Sequence, residues 1–266
     1  MTLHEVAAEL GVHYMTVYRY VRLGYLDAHK EGGTWRVEHQ ALVDFKKPPA
    51  AAGHGDGSAA WDQRLLQRLL AADQAGAWRV VEAAQASGKA LRELYVEMVI
   101  PAMYAVGKRW EQGIVTVAEE HAATQVMIRI VSRLSAQIAR RGISKGTVVM
   151  GTTASELHVL PLMIAADLIR CEGFEVLDLG CRLPADSFAA TAAKQQRLVA
   201  VAVSATSPGQ VGEIQATIHA LRNSVDAPIF LGGAAIDGPE HAKLLGADIG
   251  AATVDEVIPR LLSLVG

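Results

Sequence analysis

Gly151-Thr-Thr-Ala-Ser-Glu156-Leu-His158-Val-Leu-Pro161 is the stretch that decides how the chain is read. The apolar run before it, Thr147-Val-Val-Met150, predicts a buried parallel strand. After it, Leu162-Met-Ile-Ala-Ala-Asp-Leu-Ile-Arg170 has helical period, and Glu172-Gly173 ends the helix. An acidic residue and a histidine two positions apart therefore fall in a strand-to-helix loop. In an open α/β sheet such loops line the carboxyl edge of the strands, where ligands bind. A histidine there can offer one ring nitrogen to a metal while a carboxylate holds the other. The same residues also suit a plain helix start, and the rest of the chain decides between the two.

Downstream, the pattern repeats. Strands are expected at 147–151, 174–179, 198–204, 228–232 and 247–250. Helices are expected near 159–172, 185–196, 208–223, 238–245 and 254–265. Alternating strands and helices imply an α/β domain with a doubly wound parallel sheet, flavodoxin- or Rossmann-like, over 144–266. Strands end in small or polar residues: Gly180, Ser204-Ala-Thr206 and Gly232-Gly233.

Upstream, 59–143 reads as four helices with short connections, a bundle. They span 61–70, 73–87, 91–112 (with Pro101 as a kink or break) and 117–141. The last two meet at Trp110-Glu-Gln-Gly-Ile-Val-Thr-Val-Ala-Glu-Glu120-His121, a concentration of aromatic and polar side chains at one corner.

Residues 1–47 form a small module. Thr2 and Glu5 make a capping box for a helix with Leu3, Val6, Ala7 and Leu10 inward. Gly11 breaks it, and a second helix over 14–22 faces Val17 and Val21 inward and Tyr18, Arg19 and Arg22 outward. Gly32-Gly33 predicts a hairpin turn, and His39 to Phe45 a closing helix, which together make a winged helix-turn-helix. The Pro/Ala/Gly-rich residues 48–58 read as a flexible linker. The module holds six Lys/Arg and six Asp/Glu, so one copy should grip phosphates weakly. Repeated half-sites and a homo-oligomer, dimer or tetramer, are the implied remedy.

At 266 residues, with a net charge of −3, the chain has room for several cores and no global attraction to nucleic acid. Its two cysteines, Cys171 and Cys181, make no disulfide framework and read as core-edge residues. No run is apolar enough to span a bilayer and the N-terminus opens directly into a helix, so a cytoplasmic protein with no membrane partner is expected.

The first module resembles the excisionase/MerR type of winged helix-turn-helix, through Val6-Ala-Ala-Glu-Leu-Gly-Val12, Thr16-Val-Tyr-Arg-Tyr20 and Gly32-Gly-Thr-Trp-Arg36. The resemblance implies that Thr16, Tyr18, Arg19 and Arg22 face double-stranded DNA, with Lys30 and Arg36 on phosphates. In the α/β domain, Glu156-x-His158, Ser204-x-Thr206 and Gly232-Gly233 resemble the cobalamin-binding pattern D-x-H-x-x-G, S-x-L/T, G-G. The spacing agrees, with 42 residues between Pro161 and Ser204 and 25 between Thr206 and Gly232. That family's histidine ligates cobalt from below, and the displaced nucleotide tail enters a slot lined by the serine and glycine motifs. The resemblance implies that His158 is the lower axial cobalt ligand and that Glu156 holds its other nitrogen. Ser204 and Thr206 would donate to the tail, with Gly232 and Gly233 allowing its close approach.

Trp110, nine intervening residues and Glu120-His121 resemble the W-x9-E-H motif of CarH/LitR-type B12-dependent photoreceptor regulators. The order of DNA module, helical cap and cobalamin domain is also theirs. This implies that Trp110, Glu120 and His121 surround the upper, 5′-deoxyadenosyl ligand of adenosylcobalamin. It also implies a non-enzymatic, light-responsive transcriptional regulator whose ligand state controls oligomerisation and DNA binding. Two positions depart from the pattern. Glu111 stands where the histidine that captures cobalt after light is expected, leaving His121 as the nearest alternative cobalt ligand, and Pro161 replaces the motif glycine. Two other readings stand beside the first. One is a regulator of the same architecture sensing cobalamin level, or another tetrapyrrole, without that light chemistry. The other is a corrinoid carrier subunit of a methyltransferase.

Overall fold

The structure is a computed structural model that describes residues 1–10, 17, 21, 26–31, 34–46, 61–138, 142–251 and 253–265. The chain divides into two compact units, one of Met1–Lys89 and Val96–Val126, the other of Ala90–Tyr95 and Met127–Gly266.

In the first unit, α1 (Leu3–Leu10), β1 (His29–Glu31), β2 (Thr34–Arg36) and α2 (His39–Lys46) belong to the N-terminal module. The expected capping box is formed: the Thr2 N–H donates to Glu5 Oε2 at 2.8 Å and the Glu5 N–H to Thr2 Oγ1 at 3.2 Å. β1 and β2 pair antiparallel as the wing. Val17 and Val21 are buried with Leu3, Val6, Leu26 and Leu42. Thr16, Tyr18, Arg19 and Arg22, the side chain of Lys30 and the expected linker 48–58 lie outside the described residues.

The bundle begins with α3 (Trp61–Leu70), which buries Leu65, Leu66 and Leu69, and α4 (Gln74–Ala86), capped by Asp73 accepting from Gly76 N–H at 2.8 Å. The third helix is not uniform. It runs as α5 (Leu91–Leu94), a π-helical turn over Tyr95–Val99, and α6 (Ile100–Glu111). The α-helix is thus interrupted directly before Pro101, in keeping with the expected kink or break. Proline has no N–H for the carbonyl four residues back and its ring crowds that carbonyl, and a widened turn just before it relieves both. α7 (Val117–Ser135) stops short of the expected Arg141, closing with a tighter bond from Gln137 N–H to Leu134 O at 2.9 Å.

The second unit carries the sheet. Strands β3 (Thr147–Thr152), β4 (Glu175–Asp178), β5 (Leu198–Ser204), β6 (Ile229–Gly232) and β7 (Ile249–Ala251) are ordered β4-β3-β5-β6-β7. All of their pairings are parallel. Between them run α8 (Val159–Cys171), α9 (Ala185–Ala193), α10 (Val211–Arg222) and α11 (Pro239–Leu244), and α12 (Val254–Ser263) follows β7. Alternate strand residues point to opposite faces. Val149, Val201, Val203 and Leu231 pack with Phe188, Ile214 and Ile218 of α9 and α10. Val148, Met150, Ala200 and Phe230 pack with Leu162, Ala166 and Leu261 of α8 and α12. Both faces are covered, which is why β3 reads as one continuous apolar run and is buried throughout. Cys171, expected at a core edge, is exposed at the end of α8.

β3 and β5 are neighbours, yet the chain leaves β3 for one face and β5 for the other. A crevice opens where such connections diverge, at the carboxyl ends of the strands. No helix among the described residues is long and apolar enough to cross a membrane.

Gly233 has φ +114°, and a Cβ there would lie 2.2 Å from the Ala205 carbonyl oxygen. Gly209 has φ +83° with nothing within 4 Å of its would-be Cβ. Gly209→Ala should therefore cost only the left-handed strain of about 1 kcal/mol, and Gly233→Ala at least about 3 kcal/mol, in urea unfolding of the full chain. Equal losses would contradict this packing.

Candidate functional site

Glu156 is fully buried. A carboxylate tolerates burial only when hydrogen bonds replace its water. Oε1 accepts from the N–H groups of Leu157 and His158, both at 2.9 Å, and from the Ser207 hydroxyl at 3.0 Å. Oε2 accepts from the N–H groups of Thr206 at 2.7 Å and Ser207 at 2.8 Å, and from the Gln210 amide at 3.4 Å. His158 Nδ1 lies 2.6 Å from Oε1. Burial pushes this carboxyl up, but the N–H groups of Ser207, His158 and Thr206 and the His158 ring together outweigh it and hold it at about 2.

An ionised carboxylate only accepts, so Nδ1 of His158 carries a proton, and in the neutral ring Nε2 then carries the lone pair. His158 is the N-cap residue of α8, and 55% of its side chain is exposed. The result is an imidazole in a fixed tautomer, turned to solvent and oriented from behind, as a metal ligand requires. Among the described residues, no three His, Cys, Asp or Glu side chains are grouped to hold a metal ion. A lone backed imidazole suits a metal that brings its other ligands with it.

The loops around this pair are tied to one another. Thr153 Oγ1 donates to Gln210 Oε1, and Ser155 donates to Glu213 Oε2 through its N–H at 3.0 Å and hydroxyl at 2.7 Å. The Arg182 N–H reaches Thr152 Oγ1 at 3.1 Å and the Glu156 carbonyl at 3.2 Å. Ser204 ends β5, in register with Thr152 on one side and Gly232 on the other. Thr206 Oγ1 is buried, with no hydrogen-bond partner among the described residues, so a polar ligand atom reaching it would be satisfied. A Cβ at Gly232 would meet the Ala251 carbonyl oxygen at 2.7 Å, as one at Gly233 meets that of Ala205. Both glycines are thus required by neighbouring backbone. Pro161 is the third residue of α8 and exposed. First-turn N–H groups have no intrahelical partner, so the missing N–H is harmless to the helix.

The Trp110 corner belongs to the other unit. Trp110, near the end of α6, is 43% exposed. Glu120 accepts from the Thr124 hydroxyl at 2.7 Å and lies 2.6 Å from His121 Nδ1. Both His121 and Glu111 are exposed. Glu119 acts on the backbone instead. Its carboxylate caps α7 by accepting from the Thr116 N–H and hydroxyl, both at 2.8 Å, and the backbone bond holds it below the usual range. In the N-terminal module, Arg36 ends β2 opposite His29 and is half-buried.

Ser207, Gln210 and Glu213 escaped the sequence reading. The available signal was their place: polar residues directly after β5, the strand whose loop faces that of β3 across the switch point.

The folded carboxyl of Glu156 titrates near 2 against an ordinary 4.5, so its stabilisation is complete above pH 4.5 and lost as pH falls towards 2. Glu156→Gln should lower the unfolding free energy at pH 7 by about 3 kcal/mol. The gap from the parent protein should close between pH 4.5 and 2 in urea titrations, and a gap independent of pH would contradict the assignment.

Residues 61–135 and 146–262 match models of B12 binding domains, and residues 1–47 match a helix-turn-helix domain. The chain is similar to the HTH-type transcriptional repressor CarH of Myxococcus xanthus, 32% identical over 66% of this chain and 58% of that one. It thus spans a little under three fifths of that relative's length. It is also similar to trimethylamine corrinoid protein 1 of Methanosarcina acetivorans, 26% identical over 73% of this chain and 91% of that one. The fold resembles that of the Methanosarcina barkeri monomethylamine corrinoid protein, with a TM-score of 0.66, 17% identity, and coverage of 77% of this chain and 98% of that one. An N-terminal helix-turn-helix domain thus precedes B12-binding domains in this chain, and the backed imidazole of His158 lies within the second of them.

Proposed function

We propose that this chain is a non-enzymatic transcriptional regulator that binds adenosylcobalamin, and that ligand state sets its oligomeric state and so its affinity for an operator of repeated half-sites. The observation that carries the reading is the Glu156–His158 pair, on a chain that also has a helix-turn-helix domain. Adenosylcobalamin would supply a cobalt–carbon bond that visible light breaks. The chain's own residues do the rest. His158 Nε2 would hold the cobalt, with Glu156 orienting the ring through Nδ1. Thr206 Oγ1 and Ser204 donate to the nucleotide tail, beside Gly232 and Gly233. Trp110, Glu120 and His121 would contact the cofactor's organic ligand, with His121 as the second candidate to hold cobalt. Thr16, Tyr18, Arg19 and Arg22 face the DNA, and Lys30 and Arg36 meet phosphates.

Two specific observations favour other readings. Glu111 is a carboxylate where the CarH pattern has an imidazole, which favours a regulator that responds to cobalamin level, or to another tetrapyrrole, without the light response. The similarity covering 91% of a trimethylamine corrinoid protein favours a corrinoid carrier subunit. The helix-turn-helix domain favours regulation over carriage.

Full-length protein mixed with adenosylcobalamin should become coloured. His158→Ala should weaken binding at least about tenfold and return the spectrum to that of the base-ligated cofactor. Protein that stays colourless overturns corrinoid binding. Gel filtration and footprinting in dark and light separate the rest. A footprint that ignores light selects the level-sensing reading, and no footprint together with methylation by a partner enzyme selects the carrier.

A further inference from the structure

The chain passes between its two compact units three times, at Lys89–Ala90, Tyr95–Val96 and Val126–Met127. On the α/β side of the last two crossings one buried carboxylate takes hold. Asp167 of α8 is 1% exposed. It accepts from the Tyr95 hydroxyl at 2.5 Å, the Ser135 hydroxyl at 2.6 Å and the Arg170 guanidinium at 2.8 Å. Tyr95 opens the π-turn, and Ser135 closes α7. Arg170 continues to the Val176 carbonyl of β4 at 3.2 Å. Burial and the neighbouring Asp167 push the Tyr95 phenol well up, so it stays protonated and donates at any physiological pH.

These contacts meet on a helix of consequence. α8 has His158 as its N-cap and carries Asp167 on its third turn. A rigid secondary element can carry coupling along its length, and α8 joins the His158 N-cap to Asp167. The turn at the other end of the Tyr95 bond is a π-turn, a rare departure from α-geometry that is frequent at functional sites. Its first residue has no freedom unless the Tyr95–Asp167 bond moves with it.

We propose that Asp167 is a relay: ligation at His158 shifts α8, and the buried Tyr95–Asp167 bond passes that shift to the π-turn Tyr95–Val99. Tyr95 and Asp167 are positioning residues, remote from the cofactor. The proposal rests on the reading that a corrinoid binds at His158.

The test is amide hydrogen exchange of the full-length protein over residues 95–101, with and without adenosylcobalamin, in the parent and in Tyr95→Phe. The ligand should slow exchange there about tenfold in the parent. Tyr95→Phe should keep ligand affinity within about twofold and lose that change. Ser135→Ala, which leaves the phenol bond in place, should retain it. A purely structural tyrosine would raise exchange equally in both ligand states and leave their ratio intact, which overturns the relay. A parent that binds ligand with no change in this segment also overturns it. A parent that binds no ligand overturns the relay and the corrinoid reading together, whereas Tyr95→Phe with a normal spectrum and an intact ratio overturns the relay alone. If Tyr95→Phe does not fold, Asp167→Asn takes its place under the same criteria.

Discussion

The buried carboxylate of Glu156 is the constraint on which the site depends. Seven donor contacts converge on two oxygens, from the β3–α8 loop on one side and the β5–α10 loop on the other. An ion in that position has no water to fall back on, so the two loops must stay together or the charge is stranded. The sheet topology creates the gap these loops border. The carboxylate closes it and fixes the tautomer of His158 in the same act. Structure and ligand chemistry are here one interaction, since the oxygen that braces the loop also accepts the imidazole proton.

The Glu120–His121 pair repeats the chemistry in a different setting. Each histidine has a carboxylate 2.6 Å from Nδ1. Glu156 has no exposure, and its partners include main-chain N–H groups that cannot turn away. The Glu120 side chain keeps 24% exposure and the His121 side chain 73%, on one helix turn. An exposed pair of this kind is weakly held and free to rearrange. The contrast is between an imidazole held in place at His158 and one free to turn at His121.

Much of the fold was legible in local patterns. The continuous apolar run of β3 announced burial on both faces, the Thr2/Glu5 box announced a helix start, and Gly232-Gly233 marked a strand end where only glycine fits. Pro101 announced an interruption, and a π-turn directly before it parts the α-helix. One failure was also physical. Residues 136–138 continue the helical periodicity but leave the helix, since periodicity records which side a residue favours and not where packing stops.

The sequence by itself determined the fold class, helices ahead of a five-stranded parallel sheet, and the identity of the Glu156/His158 pair. Those follow from residue spacing, which local backbone geometry converts directly into faces and loops. Only the tertiary structure decided that Ser207 and Gln210 hold Glu156, and that Tyr95 and Ser135 meet on Asp167. The partners are separated by 32 to 72 residues along the chain, and nothing local encodes which strand will lie beside which. Strand order settles that, through the packing of two apolar faces, and with it settles which polar side chains share a crevice.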